Sequence, residues 1–100
     1  MSSFPLKVLS PEGSILDTEV SYLQVTAYNG SLGVMANHAK MISAVITGPG
    51  KIEEDGKTTW YAFGEGTLEV RGPEVILLVD FAEEAESRDD ALTRVEQALA

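Results

Sequence analysis

Apolar and polar residues alternate along most of the first eighty positions, and a period of two predicts β-strands. The predicted strands cover residues 4–9, 14–17, 22–27, 41–47, 51–54, 58–63, 67–71 and 74–81. The Asp-Gly pair at residues 55–56 is typical of a tight hairpin turn, and Gly-Pro-Gly at residues 48–50 is expected to break the chain between two strands. Residues 28–40 are rich in glycine and irregular, so we expect a long loop around a short strand near Val34.

The last predicted strand contains five consecutive apolar residues, 75–79. A strand that does not alternate is covered on both faces, so we expect one face to meet the core and the other to be covered by the segment that follows. That segment has Ser87 and Asp90 at the spacing of a capping box. Apolar residues then recur at three- and four-residue steps, which predicts one amphipathic helix. They are Ala91, Leu92, Val95, Ala98 and Leu99.

These elements predict a mainly β fold without repeats or linkers. Eight to ten short strands separated by turn residues are typical of a β-sandwich or flattened barrel. We expect residues 1–86 to form the sandwich. Residues 87–100 are expected to form one short C-terminal helix packed on or beside it.

Composition narrows the possible functions. The 100 residues carry 16 acidic and seven basic side chains, and the net charge of −9 disfavours binding to nucleic acid or to anionic lipid. The absence of cysteine excludes disulfides, zinc ribbons and thiol nucleophiles. The first residues show no secretory signal, and the longest apolar run is far below the roughly 20 residues of a membrane span. We therefore expect a globular module of the cytosolic type.

Charge is distributed unevenly, because no acidic residue occurs in residues 20–52. This acid-free window contains only two charged side chains, Lys40 and Lys51, together with the single histidine, His38. The cores of protein interfaces are depleted in charge, which favours an interface here. The alternative is that the window is the best-buried third of the sandwich.

Candidate catalytic and binding motifs are incomplete. Residues 48–51 lack the further glycine and the hydroxyl residue of a phosphate-binding loop, and a lone His38 excludes a two-histidine metal site. A triad of His38 with Ser31 or Ser43 and Asp80 lacks the strained elbow that exposes a nucleophilic serine. We therefore expect no catalytic residue, cofactor or metal, although a small hydrolase using Ser43 and His38 stays an alternative.

The aromatic residues Trp60, Tyr61 and Phe63 have two interpretations. On one strand of a small sandwich, aromatic side chains are most often part of the core. Exposed, they would form a platform for a sugar or a peptide. A stand-alone ligand- or peptide-binding module is therefore the second functional hypothesis.

Residues 30–44 resemble the signature loop and strand of the epsilon subunit of F-type ATP synthase; they read Gly-Ser-Leu-Gly-Val-Met-Ala-Asn-His-Ala-Lys-Met-Ile-Ser-Ala. Residues 8–13, 64–70 and 75–82 resemble three further blocks of the family in the same order. The departures from the family pattern are Ala36, Asn37, Lys40 and Glu65.

The resemblance implies a ten-stranded β-sandwich at the foot of the rotating central stalk, which couples proton translocation to ATP synthesis without chemistry of its own. Its partners would be the gamma subunit and the polar loops of the c-ring, with no nucleic acid and no direct lipid insertion. Its place would be the cytoplasmic face of the bacterial inner or plasma membrane, peripheral through the complex. Ten residues would form or adjoin the interface: Tyr28, Asn29, Gly30, Ser31, Leu32, Gly33, His38, Met41, Ile42 and Ser43.

Family members usually continue into a second helix, and the helical hairpin can inhibit ATP hydrolysis. About eleven helical residues span only about 16 Å, too little to reach the catalytic head. The resemblance therefore implies either a short form without this inhibitory hairpin or a truncated piece of a longer chain.

Overall fold

The computed structural model describes residues 2–100. These residues form two five-stranded sheets that pack face to face, together with one helix. Met1, at the start of the predicted sandwich segment, lies outside the described residues. The elements are β1 (Phe4–Ser10), β2 (Gly13–Val20), β3 (Tyr22–Ala27), β4 (Gly30–Val34), β5 (Met41–Val45), β6 (Gly48–Glu54), β7 (Lys57–Phe63), β8 (Gly66–Arg71), β9 (Glu74–Val79), β10 (Ala82–Ala85) and α1 (Arg88–Leu99). The predicted mainly β sandwich with one short helix is confirmed.

The two sheets have different strand orders. The first sheet runs β2-β1-β9-β8-β5 and the second runs β10-β7-β6-β3-β4. Strands β1 and β9 pair in parallel, whereas the other described pairs are antiparallel. Strands β4 and β5 follow each other in the chain, yet each is the edge of a different sheet. Across residues 2–100, no helix reaches the length and hydropathy that a membrane crossing requires.

The core lies between the sheets and consists of the inward residues of alternating strands. Leu6, Leu23 and Leu68 are completely buried, as the period of two predicts for β1, β3 and β8. Tyr61 and Phe63 stack within the core, with ring centroids 5.2 Å apart. The core interpretation is therefore confirmed for Tyr61 and Phe63, whereas Trp60 is half-buried and lies outside this core.

The predicted loop at residues 28–40 contains a longer strand than expected. The strand near Val34 is confirmed, but it begins at Gly30 and pairs with β3 along its whole length. Considered without contacts distant in sequence, the glycines of this segment predict a loop. Pairing with β3 overrides that preference, and Val34 enters the core opposite Leu23.

The predicted chain break at residues 48–50 is wrong, because these residues begin β6. Gly50 is required by space, since a Cβ there would lie 2.6 Å from the ring of Phe63. Pro49 pairs with β7 but lies beyond the described β3–β6 register, so its missing N–H costs no bond to β3. Its carbonyl oxygen accepts a hydrogen bond from the Thr26 hydroxyl at 2.8 Å.

The expected cover on β9 is also wrong. Helix α1 packs against β6, β7 and β10 of the second sheet, and Leu78 on the outer face of β9 is 46% exposed. The cause is β10, which pairs with β7 and so carries the chain to the second sheet before the helix begins. Of the predicted helical stripe, Ala91 and Val95 are buried, whereas Leu99 is 67% exposed.

A network of hydrogen bonds fixes the start of α1. The Asp90 N–H donates to the Ser87 hydroxyl at 3.0 Å, which confirms the predicted cap. The Asp90 carboxylate accepts from the Glu86 N–H at 2.9 Å and from Arg94 Nε at 3.1 Å. Arg94 also binds the Glu83 carboxylate of β10 at 3.2 Å. The Glu86 hydrogen bond and the Arg94 side chain hold the pKa of Asp90 below its ordinary value.

We expect Asp90→Asn to lower thermal stability at neutral pH and to have little effect in acid. A lowered pKa means that the stabilisation is complete above the ordinary aspartate pKa of about 4 and is lost as the pH falls through the lowered value. Thermal melts of both proteins between pH 7 and pH 2 check this. A difference in melting temperature that stays constant across the range contradicts the proposed ionic role.

Candidate partner interface

The ten predicted interface residues lie on the two edge strands β4 and β5 and on the adjoining turn and loop. Tyr28 and Asn29 form the turn before β4, and His38 lies in the loop between β4 and β5. At about 3.3 Å per residue, the five residues of β4 separate Tyr28 from the His38 loop by roughly 17 Å. The structure therefore distributes these residues as a band along two strands and does not gather them in one loop. We call this set, together with Met35, the edge band.

Large apolar side chains are unusually exposed in the edge band. Tyr28 is 85% exposed, Met35 64% and Ile42 73%. Met41 and Leu32 belong to the same band but pack against the core. Isolated exposed apolar residues are normal, but three within the acid-free window, at the edges of the two sheets, favour the interpretation of this surface as an interface.

Met35 was missing from the residue set predicted from sequence. The available signal was the alternation that continues past β4. Since Val34 is buried, the next side chain faces the opposite side, towards solvent. Because a loop was predicted at this position, the alternation was not extended to Met35.

Burial alone does not explain the acid-free window. Eleven of residues 20–52 are exposed, so the window has ample room for carboxylates at the surface. Lys51 pairs with Glu53 at 3.7 Å, just outside the window, whereas Lys40 forms no ion pair with the described residues. An interface remains the interpretation that accounts for exposed positions without acidic side chains.

The proposed histidine–serine arrangement is not assembled in the described chain. His38 Nδ1 lies 2.7 Å from the carbonyl oxygen of Ala39, and the Ser43 hydroxyl donates to the carbonyl oxygen of Ala44 at 3.2 Å. Within residues 2–100, no hydrogen bond joins the side chains of His38 and Ser43. The same part of the chain contains no group of three acidic or histidine side chains placed to hold a metal ion.

An open groove of about 580 Å³ lies on the outer side of the second sheet, beside the edge band. Tyr22, Met35 and Lys51 contribute to its walls. Lys51 Nζ lies 5.6 Å from the ring centroid of Tyr22 and 5.4 Å from that of Trp60, within cation–π range. The groove thus combines the Tyr22 ring with the ion pair of Lys51 and Glu53.

Residues 3–85 match the family described as ATP synthase, Delta/Epsilon chain, beta-sandwich domain. The chain is 36% identical over 98 residues to the ATP synthase epsilon chain of Desulfitobacterium hafniense (strain DSM 10664 / DCB-2), covering 96% of this chain and 74% of that one. It is 32% identical over 89 residues to the ATP synthase epsilon chain of Bacillus velezensis, covering 89% of this chain and 67% of that one.

Two solved structures have a similar fold. A chain in the Euglena gracilis mitochondrial ATP synthase (OSCP/F1/c-ring) superposes with a TM-score of 0.80 at 20% identity, covering 98% of this chain and 64% of that one. A chain in the central stalk/c-ring of Tetrahymena thermophila mitochondrial ATP synthase superposes with a TM-score of 0.69 at 14% identity, covering 78% of this chain and 63% of that one. At these identities the likeness shows the fold alone.

Proposed function

The chain belongs to the ATP synthase epsilon family, and from this membership we propose that it docks the gamma subunit to the c-ring and couples proton translocation to ATP synthesis. In this role the segment predicted as the sandwich, residues 1–86, would be the docking unit, and the helix within residues 87–100 lies against its second sheet. The complex would hold it at the cytoplasmic face of a bacterial membrane. Its contribution would be shape and contact, without reacting groups.

One observation carries the proposal: the edge band exposes three large apolar side chains and contains no carboxylate, in a chain with a net charge of −9. Leaving Tyr28 and Ile42 in water forgoes the stabilisation that burial of large apolar side chains provides. A partner that covers them recovers it. Acidic residues would then be unfavourable, because a carboxylate buried at an interface without a partner is costly.

The rigidity of the fold also suits a coupling element. The core contains no buried polar or charged side chain among the described residues, and Phe63, Leu68 and Leu77 are completely buried. Close-packed apolar cores deform little under load. Torque applied at the edge band would therefore reach the opposite side of the sandwich without large internal rearrangement.

Binding and reconstitution test the proposal together. We expect the immobilised chain to capture the gamma subunit and the c-ring of the same organism. Added to ATP synthase depleted of its epsilon subunit, it should restore ATP-driven proton pumping measured with a pH-sensitive dye. His38→Ala, in the edge band, should weaken capture, whereas Ile15→Ser, an exposed apolar position outside it, should leave capture unchanged. Failure of the folded chain to bind either partner contradicts the proposal.

A second candidate function, ligand binding by a stand-alone sandwich, is favoured by the groove beside Lys51. The rings of Tyr22 and Trp60 flank this cation, so a ligand seated there would change the environment of the single tryptophan. Titration of candidate ligands with Trp60 fluorescence as the readout tests this candidate. Saturable quenching by a small molecule, without binding to gamma or the c-ring, would favour it over docking.

A further inference from the structure

The sandwich has four edge strands, and they differ in how they are protected against pairing with another chain. β2 carries Asp17 and Glu19, and β10 carries Glu83 and Glu84 and is contacted by α1. β4 is also uncharged, but it begins with Gly30 and contains Gly33. β5 contains no charged residue, proline or glycine. An uncharged edge strand presents a row of unpaired main-chain groups to any partner strand.

The geometry of β5 leaves one side open. Its register with β8 runs from Met41 opposite Val70 to Val45 opposite Gly66, which uses one edge of the strand. The sheet order places no strand on its other edge, and contact with β3 of the second sheet begins just beyond its end, where the Ile46 N–H donates to the Thr26 carbonyl oxygen at 3.0 Å. Ile42 and Ala44 are exposed on the outer face, so an added strand would find apolar neighbours there. A strand of five residues offers about two or three main-chain donor–acceptor pairs to a partner.

We propose that the gamma subunit adds an extended segment to the free edge of β5, as a sixth strand of the first sheet. The proposal rests on the docking function proposed above and specifies how the contact is made. Main-chain hydrogen bonds would supply the register, and apolar side chains of the segment would lie beside Ile42 and Ala44. The edge band would then be covered by sheet continuation as well as by side-chain contact.

Charge selects a partner strand of a different protein over a second copy of this chain. Two copies would each bring a net charge of −9, which opposes self-association. Lys40 immediately precedes β5 and forms no ion pair with the described residues, so it is available to a carboxylate at one end of the added segment. The fitting segment is extended and apolar at alternate positions, with one acidic residue facing Lys40.

A pair of lysine substitutions separates addition at the edge from docking on the face of the sheet. Ala44 and Thr67 are directly paired neighbours on β5 and β8, and both are exposed on the outer face. Lysine on an edge strand resists strand addition, whereas the same lysine one strand inward leaves the edge free. We expect Ala44→Lys to weaken binding to purified gamma at least tenfold and Thr67→Lys to weaken it less than threefold, with both melting near the wild type.

Amide hydrogen exchange tests the same inference on the unmodified chain. In the complex with gamma, alternate amides of residues 41–45 should exchange at least one hundredfold more slowly than in the free chain. Equal weakening by both lysine variants indicates docking on the face and overturns strand addition. Unchanged binding by Ala44→Lys, without alternating protection, overturns it while gamma docking stands. If the free chain forms dimers and shows alternating protection, a second copy occupies the edge and strand addition by gamma is overturned. If the wild-type chain does not bind gamma, both the docking proposal and the strand-addition proposal are contradicted.

Discussion

Gly66→Ala is expected to destabilise the protein by about 3 kcal/mol or more, a large fraction of the stability of a small domain. Gly66 begins β8, paired with Val79 on one side and Val45 on the other. A Cβ there would overlap the carbonyl oxygen of Leu78 and lie 2.8 Å from its carbonyl carbon. Those atoms are backbone, so β9 would have to move away from β8. The pairing of the central strands of the first sheet would be lost locally.

Urea unfolding followed by circular dichroism measures the loss, and a melting temperature lower by roughly 12 °C or more should accompany it. Glu65→Ala is the matched control, because Glu65 is exposed and adjacent in the chain. Its effect should stay within about 0.5 kcal/mol. A Gly66→Ala protein as stable as the control would show that β8 and β9 are less closely apposed than the structure indicates. Because Gly66 is not at a positive φ, the result would reflect space and not backbone strain.

The strands of this fold differ in how well the sequence predicts them. Strict alternation identified β1, β3 and β8 with their inward residues, since a half-buried strand requires that pattern locally. It failed where the determining contact is distant in sequence. Gly50 reads as a chain break, although it lies within β6, where glycine is required because the Phe63 ring occupies the space of a side chain. No local pattern contains that information.

The sheet that the helix covers was predicted wrongly for a related reason. The continuous apolar run predicts that residues 74–81 form one strand, but β9 ends at Val79 and the chain then crosses to the other sheet as β10. The cap at Ser87 and the buried positions Ala91 and Val95 were nevertheless readable, because they depend on spacing within the helix. The sequence thus specifies the helix and its inner face, whereas β10 specifies which sheet the helix covers.

For the candidate interface, absence of charge was the most informative signal. The acid-free window contains Tyr28 and Ile42, whose exposure could not be known before the strands were assigned to edges. Periodicity shows which side of a strand a residue faces but not whether another layer covers that side. The structure resolves this by leaving Ile42 on the outer face of an edge strand.

Ile42→Ser is expected to weaken binding of gamma about 30-fold while leaving the fold intact. Burial of an isoleucine at an interface contributes about 2 kcal/mol, and each 1.4 kcal/mol corresponds to a factor of about ten in Kd. Serine is chosen over aspartate because Ile42 lies directly opposite Glu69 on β8, and a second carboxylate there would destabilise the sheet itself. Since the side chain is 73% exposed in the free chain, its removal should cost the isolated protein less than about 0.5 kcal/mol.

Leu99→Ser provides the matched control for that measurement. Leu99 is 67% exposed, close to the 73% of Ile42, but lies at the end of α1 and outside the acid-free window. Both variants remove an exposed aliphatic side chain, so general loss of surface hydrophobicity affects them alike. Calorimetric titration against gamma should therefore separate them, with Leu99→Ser within about twofold of wild type, a difference below about 0.5 kcal/mol. If Leu99→Ser weakens binding and Ile42→Ser does not, the partner covers the helix side of the sandwich and the edge band is not the docking surface.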